Sequence, residues 1–390
     1  MKGKIVTLLF MAYCILMPFE EAIAFGFGSV LKIVGMLIIG LSLFFYIARK
    51  PSATIKPLIF WLALMLISYL WCTSSYYWEA FIIIYLGQIA LLVAFELVDV
   101  RDFNFKMIDV GLIITGCVAS YVLIKFPATS MLTDEGRRTI MINGTSIDPN
   151  IVAATIIIGL HITTNFFLTC RRKIIKYIYG SAALFMLYGI LLTGSRGALI
   201  AFVASFALKI YLEGKLSLKA RKKSIYLILF AIVAFFVMLA ILPENLIESR
   251  FSKETILGLN EREQGSHNRY DIWLAAIDLF TMNPILGVGC GNFINSIALV
   301  YSRQCASHNM YILLLIEGGV IGFSLFAKYV YSIWKSLMRY CDYLTLSLLT
   351  ATLIISLSLD ALPYKFFWIT LIYCRLQIRR REIGLENEDC

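Results

Sequence analysis

The residues best suited to chemistry in this chain are Ser307-His308-Asn309-Met310-Tyr311, followed by Glu317-Gly318-Gly319 and Gly322. An apolar helix has no stability reason to begin with an imidazole and an amide. Histidine titrates near physiological pH, so it can act as a base, an acid or an orienting group. If a helix starts near His308, successive residues step about 100° around it. Gly319 then returns nearly to the face of His308, Gly322 lies close by, and Glu317 points to roughly the opposite side. Glycine below the histidine would admit another helix or a lipid chain. A carboxylate at Glu317, a turn or two into an apolar helix, should pair internally. The plainer alternative is an Asn309 N-cap with glycines that serve only helix packing.

Arginines supply the second kind of chemistry. Thr193-Gly194-Ser195-Arg196-Gly197-Ala198 joins two apolar runs and sets Arg196 at a helix start, a ready anion site. The alternative is a tight turn with a snorkelling arginine. Asn268-Arg269 opens a segment in which Ile272, Ala276 and Phe280 recur at i+4, as in an amphipathic helix, with Trp273 suited to a membrane interface. Asp148-Pro149-Asn150 reads as a helix start. With Arg138 ten residues before Asp148, Arg138 and Asn150 become candidates for substrate contact. Gly287-Val-Gly289-Cys-Gly291-Asn292 follows no strand, so it reads as a structural turn rather than a nucleotide loop, with Asn292 as a lining candidate.

These residues must be positioned by membrane helices. Of the 390 residues, 60% are hydrophobic and 15% charged, against roughly a quarter charged in soluble domains. The apolar residues fall in runs approaching the ~20 needed to span a bilayer. The expected spans are 5–19, 29–47, 57–72, 79–97, 107–125, 150–169, 175–192, 197–212, 225–242, 308–332, 344–358 and 361–376. The expectation is an all-α polytopic membrane protein, a single integral domain over 1–390 with about twelve transmembrane helices. Lys2 and Lys4 ahead of the run 5–19 fit a signal peptide or a retained first helix, and retention is expected.

Every second loop is basic: Arg49 and Lys50; Arg101 and Lys106; Arg171, Arg172 and Lys173; Lys219 to Lys223; Lys335 and Arg339; and Arg379 to Arg381 near the C-terminus. The excess of Lys and Arg on the cytoplasmic side puts these loops and both termini in the cytoplasm. The net charge of +10 therefore reflects topology and does not call for nucleic acid. The alternate loops are external, and 243–307 is the one large piece among them, expected to contain amphipathic helices. Arg137, Arg138, Arg196, Arg269 and Arg303 break the charge rule on that side. Arginine there suits a phosphate ligand, because its planar fork binds oxyanions bidentately.

The nine cysteines have no metal spacing. Cys290 and Cys305, both in the external segment, could close a small loop as a disulfide or remain thiols. His161, in mid-helix, reads as a packed core histidine. No metal or other cofactor is called for, since arginines can do the neutralising.

Four motifs in order, Gly-Ser-Arg-Gly at 194–197, Asn-Arg-Tyr-x-x-Trp at 268–273, Pro-Ile-Leu-Gly-Val-Gly-x-Gly-Asn-Phe at 284–293 and Ser-His-Asn-Met-Tyr with Glu-Gly-Gly-Val-Ile-Gly to 322, resemble the O-antigen ligase and polysaccharide polymerase superfamily. The resemblance covers mainly 137–323. It implies a GT-C-like, metal-independent membrane glycosyltransferase of the bacterial inner membrane, with a periplasmic site. It implies a donor oligosaccharide on undecaprenyl diphosphate and an acceptor glycan, either a lipid-linked repeat unit or lipid A–core. Chain-length regulator and flippase proteins would be further partners. By resemblance Arg196 and Arg269 would hold the diphosphate and His308 would assist the acceptor hydroxyl. Arg138, Asn150, Asn268, Arg303, Asn309, Tyr311 and Glu317 are the accompanying substrate-binding candidates. The motif versions look more like surface-polysaccharide polymerases than ligases. A transporter or flippase, from a different class, would account for twelve helices. It would call for paired charges or broken helices at the membrane midplane, of which the spans hold few.

Overall fold

The computed structural model of the chain describes residues 2–19, 24–25, 28–45, 51–126, 128–129, 136–142, 145–216, 242, 244, 246–247 and 269–384. These residues are overwhelmingly helical. In chain order the helices are α1 (Lys2–Leu16), α2 (Val30–Phe45), α3 (Lys56–Ile67), α4 (Ser75–Leu97), α5 (Phe105–Lys125), α6 (Pro149–Thr169), α7 (Lys173–Leu192) and α8 (Arg196–Leu216). They continue as α9 (Arg269–Met282), α10 (Phe293–Tyr301), α11 (Met310–Arg339), α12 (Tyr343–Ile355) and α13 (Lys365–Glu382). The strands are two-residue pairs, among them Ala128–Thr129 with Arg138–Thr139 and Met141–Ile142 with Thr145–Ser146.

Among the described residues seven helices are long and apolar enough to cross a membrane, and three shorter apolar ones accompany them. Eleven of the expected spans fall on described helices, although α13, at the span expected over 361–376, is not among the ten apolar ones; 225–242 lies outside the described residues apart from Leu242. The last expected span is displaced: α13 begins at Lys365, because Ser356–Tyr364 forms a loop that turns into the bundle. Large apolar side chains such as Phe60, Ile83 and Ile174 are exposed on the outer helix faces. A helix satisfies its own backbone, so such faces are stable against lipid.

Inside, α5 packs on α1, α6 and α7, α8 on α12, α3 on α11, and α13 on α4 and α12. The bundle has two ends. One gathers the starts of α6, α8 and α11 and the α12–α13 loop. The other gathers the end of α4, the start of α5, the α11–α12 turn and the end of α13. At 1.5 Å per residue, α6 separates these ends by about 30 Å.

The helix that follows His308 is not continuous. Gly319 has φ 59°, ψ −167°, and breaks α11. The break is filled by the chain itself. Val288 and Gly289 N–H donate to the carbonyls of Ile316 (2.9 Å) and Glu317 (3.0 Å), while Val320 N–H donates to Pro284 (2.9 Å). A Cβ at Gly319 would collide with the Ile285 carbonyl, and one at Gly287 with that of Ile316. The projection from His308 along an unbroken helix therefore fails. Gly319 admits the 284–289 loop, and Gly318 and Gly322 face Met65 and Leu64 of α3. This spacing of small residues serves helix packing.

Candidate active site

The site forms where four chain segments meet at one end of the bundle. The first is the turn into α8. Gly194 takes φ 62°, Ser195 Oγ accepts from Ala198 N–H at 3.4 Å, and Arg196 becomes the half-buried first residue of α8. Arg196 has no side-chain hydrogen bond or ion pair among the described residues. The turn is clamped from the side. Buried Arg137 donates through Nε to the Thr193 carbonyl (2.9 Å) and through Nη2 to Asn150 Oδ1 (3.0 Å). Asp148 caps α6, accepting from Asn150 N–H at 2.7 Å.

The second segment is α9, a helix that buries Ile272, Ala275, Ala276 and Leu279; Phe280, the third member of the i+4 pattern, is half-buried, and Leu274 and Ile277 are exposed, so its faces differ less than the pattern predicts. Arg269 opens it and donates through Nη1 to the Ser358 carbonyl at 3.4 Å. Trp273, one turn on, donates through Nε1 to the Ser307 carbonyl at 3.0 Å. The third segment is the α12–α13 loop. A Cβ added to Gly197 would come within 2.7 Å of Ser358 Oγ, so the start of α8 and the tip of Arg269 meet on the same residue.

The fourth segment carries His308, which sits in the left-handed region at φ 51°, uncommon for a residue with a side chain. Its neighbours hold it there. Ser307 Oγ donates to Asp360, and Asn309 N–H donates to Asp360 Oδ1 at 3.0 Å. Met310 N–H donates to the Ser356 carbonyl at 3.0 Å. A strained residue held by its surroundings is a feature of functional sites.

The charges act on one another. Burial lowers the His308 pKa below its usual 6.5 and the Arg269 charge lowers it further, while Asp360 and Asp148 oppose both. Burial lowers Arg269 as well, Asp148 and Asp360 raise it, and Arg196 lowers it. Arg196, Arg269, His308, Asp148 and Asp360 thus form one electrostatic group. Burial and the Arg269 charge favour the neutral imidazole, the form that can accept a proton.

The other sequence candidates fare differently. Asn309 Oδ1 is spent as the N-cap of α11, on Tyr311 N–H (3.0 Å) and Ile312 N–H (3.2 Å). The Tyr311 hydroxyl donates to the Leu353 carbonyl at 2.8 Å. Glu317 pairs internally, as its depth demands: its Oε1 accepts the first N–H of α10, from Phe293, at 3.4 Å. Arg138 donates to the Leu123 carbonyl at 3.2 Å, so Arg137, its neighbour, is the one turned into the site. Asn150 is the Arg137 partner described above. Arg303 is exposed on the loop before His308, and Asn268 lies outside the described residues. Asn292 is not a lining residue, because its Oδ1 accepts from Thr73 Oγ1 (2.9 Å) and Ser74 N–H (2.8 Å).

Cys290 and Cys305 are both free thiols, which overturns the disulfide option. Cys290 is fully buried, with its N–H on Ser68 Oγ at 3.0 Å, and burial pushes both thiols above their ordinary pKa. His161 is a core histidine, buried between Ile157 O and Ser205 Oγ at 3.0 and 2.8 Å.

A multi-pass helical architecture with two arginines and a histidine gathered at one end is the framework on which a comparison with known proteins rests. The family described as O-Antigen ligase matches residues 181–327, less than half of the chain. The segment runs from α7 into α11 and contains Arg196, Arg269 and His308. The match supports the O-antigen ligase and polymerase superfamily, and a glycosyltransferase-type activity on lipid-linked glycans in general. No curated protein matches the chain. Asp360, Ser358, Asp148 and Arg137 lie outside the matched segment and are joined to it only in three dimensions.

Proposed function

We propose that the chain is a surface-polysaccharide polymerase. It would pass a glycan from undecaprenyl diphosphate to the sugar hydroxyl of another lipid-linked repeat unit, at the periplasmic face of the bacterial inner membrane. The observation that carries this reading is the pair Arg196 and Arg269, close enough to act on one another's charge, with Arg269 also acting on His308, and both sparsely bonded among the described residues. In the reaction the acceptor oxygen attacks the anomeric carbon, and the bond from that carbon to the diphosphate oxygen breaks. The diphosphate leaves with the electron pair, and the hydroxyl proton passes to His308. Fixed guanidinium groups in a low-dielectric site stabilise the charge that grows on the leaving group. A bound diphosphate offsets the Arg269 charge at His308 and so makes the imidazole a stronger base. An apolar groove of about 300 Å³ along α11, beginning at Met310 and Tyr311 and reaching Trp334, is suited to the polyprenyl chain of such a donor.

Transfer of finished polymer to lipid A–core is the second reading, and the description of the matching family favours it. A transporter is disfavoured, because the helix broken at Gly319 is sealed by the 284–289 backbone instead of lining a passage. The lipopolysaccharide of a deletion strain separates these readings. Core carrying a single repeat unit is expected for a polymerase of O-antigen. Bare core with polymer left on its carrier would assign the ligase, and lipopolysaccharide, capsule and exopolysaccharide all unchanged would reject both.

A further inference from the structure

The end of the bundle opposite His308 holds a second recess, of about 450 Å³. It is walled by the start of α5, the end of α6, the α11–α12 turn and the last turns of α13. Four cations line it: Lys106, Arg171, Arg380 and Arg381. Three acids line it too, and each already has a partner. Asp109 Oδ1 accepts from the Tyr373 hydroxyl at 2.8 Å. Asp342 Oδ1 caps α12 through Thr345 N–H at 3.1 Å. Glu213 pairs with Lys209 at 2.6 Å. Among the described residues no side-chain hydrogen bond or ion pair holds the four cations; Arg380 lies over the Phe105 ring, 4.7 Å from its centroid, and feels the charges of Asp109 and Asp342.

With Glu213 neutralised by Lys209, four cations face two acids, and Lys106, Arg171 and Arg381 have no ion pair among the described residues, so the recess keeps a surplus of positive charge for an anion. Its position, at the ends of helices that cross the membrane, is the depth at which lipid phosphates lie. Phe166 and Leu344 in its wall offer apolar surface to the glycerol and upper acyl groups. We infer that this recess binds a phosphoryl group, presented by an anionic phospholipid headgroup or by soluble phosphate. Arginine forks match phosphate oxygens in pairs, and basic pockets between membrane helices hold lipid headgroups through this chemistry.

The test uses the whole chain purified in neutral detergent. It is titrated separately with phosphatidylglycerol, with phosphatidylcholine, whose phosphate is already paired with an ammonium, and with inorganic phosphate. Unfolding temperature and bound lipid by native mass spectrometry are read. The protein is expected to retain phosphatidylglycerol over phosphatidylcholine, and each cation removed should weaken binding about fivefold. The variant is Lys106→Gln with Arg171→Gln. Both side chains are exposed, and an unchanged unfolding temperature without ligand shows that the variant is folded. A response to inorganic phosphate that the variant loses would keep the site and assign the soluble source. Equal phosphatidylglycerol binding by parent and variant would overturn the proposal, as would a parent that responds to neither phosphate source.

Discussion

The two ends of the helix bundle both bury arginine, and they use it in opposite ways. At the α13 end the buried arginines Arg375 and Arg379 are spent within the fold, unlike the cations that rim the recess beside them. Arg375 grips Glu96 through Nε (2.6 Å) and Nη2 (3.2 Å), and Arg379 donates to the Phe95 and Val98 carbonyls at the end of α4. At the His308 end Arg269 makes one long bond to Ser358, and Arg196 makes none among the described residues. Arg137 is the exception there, fully engaged with Thr193 and Asn150. A desolvated cation without a partner is costly, so arginines kept in that state imply a ligand that completes them. Burial alone marks neither class; the count of hydrogen bonds already made does.

Four experiments would break or sharpen this contrast. The largest effect is expected at His308→Ala, which should lower transfer by about 10²–10⁴-fold while the protein stays folded and inserted, because it removes a general base. A purified transfer assay with lipid-linked donor checks it, and near-parental turnover would remove His308 from the chemistry. Arg269→Ala should cost about 10²–10³-fold in the same assay. At the other end, Glu96→Gln should act on stability instead. It leaves Arg375 buried without its counter-charge and should cost roughly 3–5 kcal/mol, read as a lower unfolding temperature with activity per folded molecule retained. Arg137→Gln lies between. Loss of charged hydrogen bonds of about 1.5–3 kcal/mol should loosen the Thr193 turn, lowering stability modestly and raising KM for donor through Arg196.

The smallest effect concerns pH. His308 must be neutral to accept a proton, and burial and Arg269 hold its pKa below 6.5. The profile of kcat/KM should therefore be flat above neutrality and fall on the acid side, with its midpoint below pH 6.5. An acid limb centred above 6.5 would mean a different base, or an imidazole governed by Asp148 and Asp360.

Much of this arrangement was legible in the sequence, for physical reasons. Apolar runs must be helices in lipid, and arginines on the side that topology leaves poor in cations stand out. Those two rules reach Arg196 and Arg269, and the polar pair at the mouth of an apolar helix reaches His308. The rest depends on geometry that no local pattern carries. Arg137 and Arg138 are adjacent and chemically identical, and only the Thr129–Arg138 strand pairing decides which one turns inward. Asp360 stands alone between two apolar runs, where an acid is itself unusual. Its role becomes visible only when Ser307 and Asn309 are found on it. Gly319 reads as a packing glycine under the assumption of a continuous helix. Its positive φ appears once the 284–289 loop is seen to occupy the break.

The central claim, that the two sparsely bonded arginines await a diphosphate, is tested most directly by titrating purified protein with undecaprenyl diphosphate. Arg269→Gln and Arg196→Gln are each expected to weaken binding by tenfold or more, about 1.4 kcal/mol or above, while Lys106→Gln at the far end leaves it unchanged. Parental affinity in both arginine variants would contradict the claim.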